Sequence, residues 1–185
     1  MTTANPPSRL RSRLTLLLIV ALFFGSFALA AWLRFSGWQP PGSRNYGRLL
    51  QPPRDLSALT FKRADGSDYP WAPERNLWRI VVAPTRDCSR ACTQTLDALY
   101  RVWLREGRLA DRVDVLWFGP LPAGPHFRRL VQMQPDPRLT AVLPTPARAD
   151  AVPVYFIDPS GFLVLQYPAG FELAGLHKDL DRVLK

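Results

Sequence analysis

Hydrophobic and polar positions are arranged in three different ways along this chain. From Leu14 to Leu33, twenty residues run without a charge (LTLLLIVALFFGSFALAAWL). At ~1.5 Å per residue a helix of that length crosses the ~30 Å hydrocarbon core of a bilayer. Further on, short continuous apolar runs at Leu77–Ala83, Val113–Phe118 and Pro153–Ile157 predict strands buried on both faces. Helical spacing takes over at Thr93–Glu106, where Leu96, Leu99, Tyr100, Trp103 and Leu104 share one side and Gly107 ends the run. It returns at Leu173–Leu184, with Leu173, Leu176, Leu180, Val183 and Leu184 together.

Turn chemistry fills in the rest. Leu59–Arg63 followed by Ala64-Asp65-Gly66 predicts a strand ending in a hairpin turn. Asp158-Pro159-Ser160-Gly161 closes the strand PVYFI, and Phe162–Tyr167 is read as its antiparallel partner. The segment from Ser36 to about Arg54, rich in Pro, Gly and Arg, reads as a tether with little regular structure. A long irregular connection is expected between Phe118 and Pro153. The order of strand, helix, strand, connection, strand, hairpin strand and helix is that of an α/β, thioredoxin-like fold with a single N-terminal transmembrane helix. The expected organisation is a basic cytoplasmic tail (1–13), an anchor (14–34), a tether (35–54) and a periplasmic thioredoxin-like domain (55–185).

The distribution of charge sharpens this picture. The chain of 185 residues carries a formal charge of +9, yet residues 1–54 hold seven arginines and no acid. The folded body is therefore close to neutral. Nucleic-acid binding needs a basic face on the folded domain, and the composition argues against it. Arg9, Arg11 and Arg13 precede the apolar run, and Trp32 and Trp38 lie near its far end. The positive-inside rule places the N-terminus in the cytoplasm and the domain outside. Ala28-Leu29-Ala30 also fits a signal-peptide cleavage pattern. Either way the domain is exported, and the bilayer is one expected partner.

The cysteines are the main chemical feature. The two in the chain, Cys88 and Cys92, lie in Arg86-Asp87-Cys88-Ser89-Arg90-Ala91-Cys92, between the first buried strand and its helix. A helix N-terminus stabilises thiolates through its unpaired N–H groups and dipole, and the i, i+4 spacing allows a bridge on one helical face. As a staple, so small a loop stabilises little. Thiol exchange, metal binding and an inert disulfide all remain open from the residues alone. Asp150 and Asp158 read as turn residues, and Trp78, Trp103 and Trp117 as core. There is no G-x-S-x-G, P-loop or H-E-x-x-H motif.

With C-x3-C in place of C-x-x-C, an N-terminal anchor and the segment VYFIDPSG, the chain resembles the Sco/SenC branch of thioredoxin-like proteins, membrane-anchored assembly factors for cytochrome c oxidase. Asn45-Tyr46-Gly47, FIDPSGFLVLQYP and the closing KDLDRVLK resemble small proteobacterial transmembrane proteins found among cytochrome oxidase biogenesis genes. The resemblance implies a cis proline at Pro153, facing the cysteines and receiving a client's backbone. It also implies oxidase subunits or other assembly factors as partners, and copper held by Cys88, Cys92 and a histidine just before the last hairpin.

That stretch here is Arg148-Ala149-Asp150-Ala151-Val152-Pro153, without histidine. His126, in a Pro/Gly-rich loop, and His177, in the last helix, are the alternatives. Two thiolates suffice for Cu(I), whereas Cu(II) favours imidazole. The expectation is thus thiol–disulfide exchange through Cys88 and Cys92 with Pro153, requiring no cofactor. A Cu(I) carrier role for the same cysteines, with His126, and a non-catalytic scaffold are the alternatives.

Overall fold

The structure is a computed structural model that describes residues 9–37, 45–84, 90–144 and 152–185. The chain divides into two compact units, 1–42 and 43–185. The first is one helix, α1 (Arg9–Phe35), about 40 Å long at 1.5 Å per residue. Its stretch Arg11–Phe35 is long and apolar enough to cross a membrane, and none of it is buried within the protein. No acid and only one terminal arginine interrupt the run after Arg13, so the helix offers an apolar surface on every side.

The second unit is built on a six-stranded sheet. Its strands are β1 (Arg48–Asp55), β4 (Trp78–Val82), β5 (Val113–Phe118), β6 (Leu130–Met133), β7 (Val154–Ile157) and β8 (Phe162–Tyr167). A small hairpin of β2 (Phe61–Lys62) and β3 (Asp68–Tyr69) stands beside it. The spatial order is β1-β8-β7-β4-β5-β6. The strands β4, β5 and β6 run parallel, while β7, β8 and β1 are added antiparallel. Helix α2 (Arg90–Arg105) links β4 to β5, α3 (Pro137–Val142) follows β6, and α4 (Leu173–Leu184) closes the chain.

Alternation along the central strands separates two cores. Ile80, Val82, Val113, Val115, Trp117, Val154 and Phe156 face α2 and α4, meeting Leu96, Leu99, Leu176 and Leu180. Val81, Leu116, Tyr155 and Ile157 face the other way, against Leu56, Phe61, Leu139 and Leu163. Burial on both faces is why these strands read as unbroken apolar runs.

Three sequence expectations change. Residues 48–54, expected in the tether, belong to β1, which pairs with β8 from Arg48↔Gln166 to Asp55↔Phe162. Its register is broken between Leu49 and Arg54, around Pro52 and Pro53. Prolines suit an edge strand because its outward N–H positions need no ladder partner. The connection after β5 is not irregular throughout: it holds β6 and α3, the latter capped by Asp136, whose side chain accepts the Arg138 N–H. Four residues of β6 are too few for a periodic signal. The predicted hairpin turn is present, with Gly66 at φ +86°, but its strands are two residues each. The preceding residues instead brace β6, through Gln134 N–H to the Lys62 carbonyl at 2.9 Å and Ala64 N–H to that of Gln132 at 2.9 Å.

Candidate functional site

One row of residues crosses the sheet at the end where the chain leaves β4. Val82 lies opposite Trp117 of β5 and Val154 of β7, Trp117 lies opposite Gln132 of β6, and Val154 lies opposite Tyr167 of β8. The parallel β4–α2–β5 unit places the start of α2 over this row. Cys92 is the third residue of α2. It is 2% exposed and packs in the same core as Val82, Leu96, Trp117, Val152 and Val154. Pro153, also buried, sits between Val152 and Val154. The sequence-predicted Cys92 and Pro153 thus come to one end of the sheet. Cys88, with Arg86 and Asp87, lies outside the described residues, as do Trp38 and Asp150.

Among the described residues the cis peptide bond is Gln51–Pro52. The Val152–Pro153 bond, where the resemblance implied a cis proline, is trans. Pro153 nevertheless opens β7 immediately before the Val82↔Val154 pair, as an initial proline can, since the first strand position needs no ladder donor.

The loop carrying His126 lies along α2. A side chain at Gly124 would meet Leu96 at 3.1 Å, and the Phe127 ring stands 5.6 Å from Tyr100 and 5.1 Å from Trp103. His126 itself is exposed, its Nδ1 3.3 Å from the Gly124 carbonyl. His177 lies on α4 with its Nε2 3.7 Å from Glu106. Among the described residues no group of three His, Cys, Asp or Glu side chains is arranged to hold a metal.

The predicted core tryptophans divide. Trp117 is fully buried and donates its ring N–H to the Pro120 carbonyl at 3.0 Å, closing the loop after β5. Trp103 is half-buried and donates to Ala110 at 3.0 Å, and Trp78 packs at the margin of the helix-side core. Asp158 is the turn residue expected, accepting the Phe162 N–H at 2.8 Å.

Two residues at this end of the sheet escaped the sequence reading. Tyr167 closes the row described above, and Asp179 of α4, 1% exposed, accepts its hydroxyl. The signal was available: Asp179 lies three and four positions from Leu176 and Val183, on the apolar stripe of α4. A carboxylate there needs partners supplied by other elements.

Comparison with known proteins places this arrangement. A family described as transmembrane-like, thioredoxin-like, C-terminal domain matches residues 78–185. No curated protein matches the chain. Among solved structures, a SCO1/SenC family lipoprotein from Bacillus anthracis str. Ames is 12% identical over 74% of this chain and 99% of its own, with a TM-score of 0.51. BsSco, a member of the Sco family of cytochrome c oxidase assembly proteins with a disulfide switch, is 12% identical over 80% and 98%, at 0.49. Copper-bound ScoI from Bradyrhizobium japonicum is 15% identical over 74% and 98%, at 0.47. At these identities the likeness is one of fold. The family model spans more than half of the chain, over the thioredoxin-like sheet that follows a helix long and apolar enough to span a membrane, and the chain belongs to that transmembrane-like, thioredoxin-like family.

Proposed function

We propose that this protein is a membrane-anchored thiol–disulfide exchange factor for cytochrome c oxidase assembly, its domain facing the periplasm. One observation carries the reading: Cys92 is buried in the first turn of α2, at the sheet end where Pro153 opens β7. A buried thiol is protected from bulk disulfides, which suits a resolving role. Cys88, four residues earlier in the sequence, is then the attacking group.

The chemistry balances within the pair. The Cys88 thiolate attacks one sulfur of a client disulfide, forming a mixed disulfide and releasing the client's other sulfur as a thiolate. Cys92 then attacks the Cys88 sulfur and releases the second client thiolate. Two electrons pass to the client, and the Cys88–Cys92 pair ends oxidised. A thiol donor must then reduce it. In this reading Pro153, at the start of β7, receives the client's extended backbone. The Sco/SenC resemblance of C-x3-C and FIDPSG points to the cysteine pair of an oxidase copper site as the client, or to another assembly factor acting on it. The bilayer holds α1, with the arginines before it on the cytoplasmic side.

The test is the reduction potential of the Cys88–Cys92 couple in the full chain in mild detergent, set by thiol buffers and read as a mass shift after alkylation. A value of ~−120 to −270 mV, where exchange proteins lie, is expected. A value below ~−300 mV would mark a disulfide resistant to ordinary thiol donors and leave a strong-reductant or docking role. Failure to close a disulfide, with stoichiometric Cu(I) capture by the reduced pair, would assign a cargo role. Failure of both would leave a docking subunit.

A further inference from the structure

Asn45-Tyr46-Gly47 and the closing KDLDRVLK, motifs with no role in the exchange chemistry, form one contact. The Asp179 carboxylate accepts the backbone N–H of Tyr46 at 2.7 Å, that of Gly47 at 2.9 Å and the Tyr167 hydroxyl, all on Oδ2. Its Oδ1 takes Arg182 Nη1 at 3.0 Å. Both neighbouring glycines are required by space: a Cβ on Gly47 would lie 2.7 Å from the Tyr167 ring, and one on Gly175 would lie 2.8 Å from Tyr46 Cβ.

Tyr167 connects this clasp to the site. It lies opposite Val154, the residue after Pro153, and packs in the core that holds Cys92, Val152 and Val154. Its ring stands 5.2 Å from Phe156 and 6.0 Å from Phe171. The side chain is thus fixed at its hydroxyl by Asp179, while its backbone lies opposite the start of β7. Burial, with the Asp179 carboxylate beside it, pushes the Tyr167 hydroxyl well above its ordinary range, so it stays a donor.

We propose that Asp179 is a positioning residue of the dithiol site: by clasping residues 46–47 and the Tyr167 hydroxyl, it holds the end of β8 on which the Pro153 segment is laid. This rests on the exchange reading above and extends it to the recognition of a peptide client. A small disulfide does not engage the Pro153 segment, whereas a client backbone does.

The experiment uses the full chain in mild detergent, with Tyr167→Phe and Asp179→Asn beside the unchanged protein. Two substrates are compared, a disulfide-bonded peptide and hydroxyethyl disulfide, together with amide hydrogen exchange at Tyr46, Gly47 and Val154. Both variants are expected to slow peptide reduction about tenfold, the scale of one lost hydrogen bond to a charged group. They should leave hydroxyethyl disulfide within about twofold and speed exchange at the three amides. Equal slowing of both substrates would reduce Asp179 to general support and overturn the proposal; no slowing of either would do the same. An unchanged protein that reduces neither substrate would instead refute the exchange chemistry. If Asp179→Asn does not fold, Tyr167→Phe, which removes only the hydroxyl, decides.

Discussion

Arg79 holds the turn at Asp158 from the interior of the domain. Its guanidinium, fully buried at the start of β4, donates to the carbonyl oxygens of Asp158 at 3.3 Å and Pro159 at 3.2 Å, and to that of Leu77 at 2.9 Å. Trp71 and Tyr69 lie 4.8 and 5.7 Å from it, ring centre to guanidinium carbon. The Tyr69 hydroxyl passes the charge interaction on to buried Asp114 at 2.6 Å, which Arg129 also meets at 3.2 Å. The FIDPSG segment singled out in the sequence is therefore seated by a buried cation.

Arg79→Met is expected to destabilise the domain by about 3–5 kcal/mol, because it removes the positive partner of a buried network and strands three carbonyls. The midpoint of denaturant unfolding at unchanged slope would report it. A loss under about 1 kcal/mol, the scale of a surface substitution, would show that the network is not holding the turn.

Gly175→Ala separates packing from helix propensity. Within an exposed helix the exchange stabilises by up to about 1 kcal/mol, but here the added Cβ meets Tyr46 at 2.8 Å. A net loss of about 1–3 kcal/mol is expected from overpacking, with faster hydrogen exchange at Tyr46 and Gly47. A more stable protein would mean that the Asn45–Gly47 segment is not seated on α4.

Glu106 gives stability a pH dependence. It is buried where the end of α2 faces α4, and burial, reinforced by Asp181 and opposed by Lys185, pushes its carboxyl up to about 7. His177 faces it at 3.7 Å. The folded state therefore keeps this proton over a range in which the unfolded chain, with an ordinary value near 4.5, has lost it. The contribution is full below about pH 4.5 and is lost as pH rises to about 7. Glu106→Gln should flatten melting temperature against pH across this window and raise it at pH 7. A variant that keeps the full slope would place its origin elsewhere.

The two cysteines should behave unequally. Cys92→Ser is expected to accumulate a mixed disulfide between Cys88 and a client peptide, because nothing remains to resolve it. Cys88→Ser should capture none. Mass spectrometry after alkylation without reductant distinguishes them. Capture by Cys92 in the Cys88→Ser chain would reverse the assignment.

Much of this was legible in the chain because it depends on local pattern. The apolar run of α1, the bounds of β5, β8 and α4, and the antiparallel β7–β8 hairpin follow from periodicity and from the turn at Asp158–Gly161. The placing of Cys92 in the first turn of a helix after a buried strand is equally local. Each such element is specified by its own burial pattern, and neighbours in sequence pair with little loop entropy.

Other features came only from tertiary structure. β1 carries Pro52 and Pro53 and no apolar alternation, so nothing in residues 48–55 announces a strand. It becomes one because β8 offers an open edge and Asp179 holds the residues before it. The strand β6 is likewise defined by its neighbour β5 and by the backbone of residues 62–64. The charges of Arg79 and Asp114 stand inside apolar runs, and the linear chain does not show what pairs them. Their burial is tolerable only because Tyr69, Trp71 and the Asp158 turn arrive from other parts of it. The sequence by itself determined which segments are apolar and where the thiols stand. Which edge is covered, and which charge is buried, depends on partners far along the chain, since a backbone edge or a carboxylate is stable inside a protein only once those partners are in place.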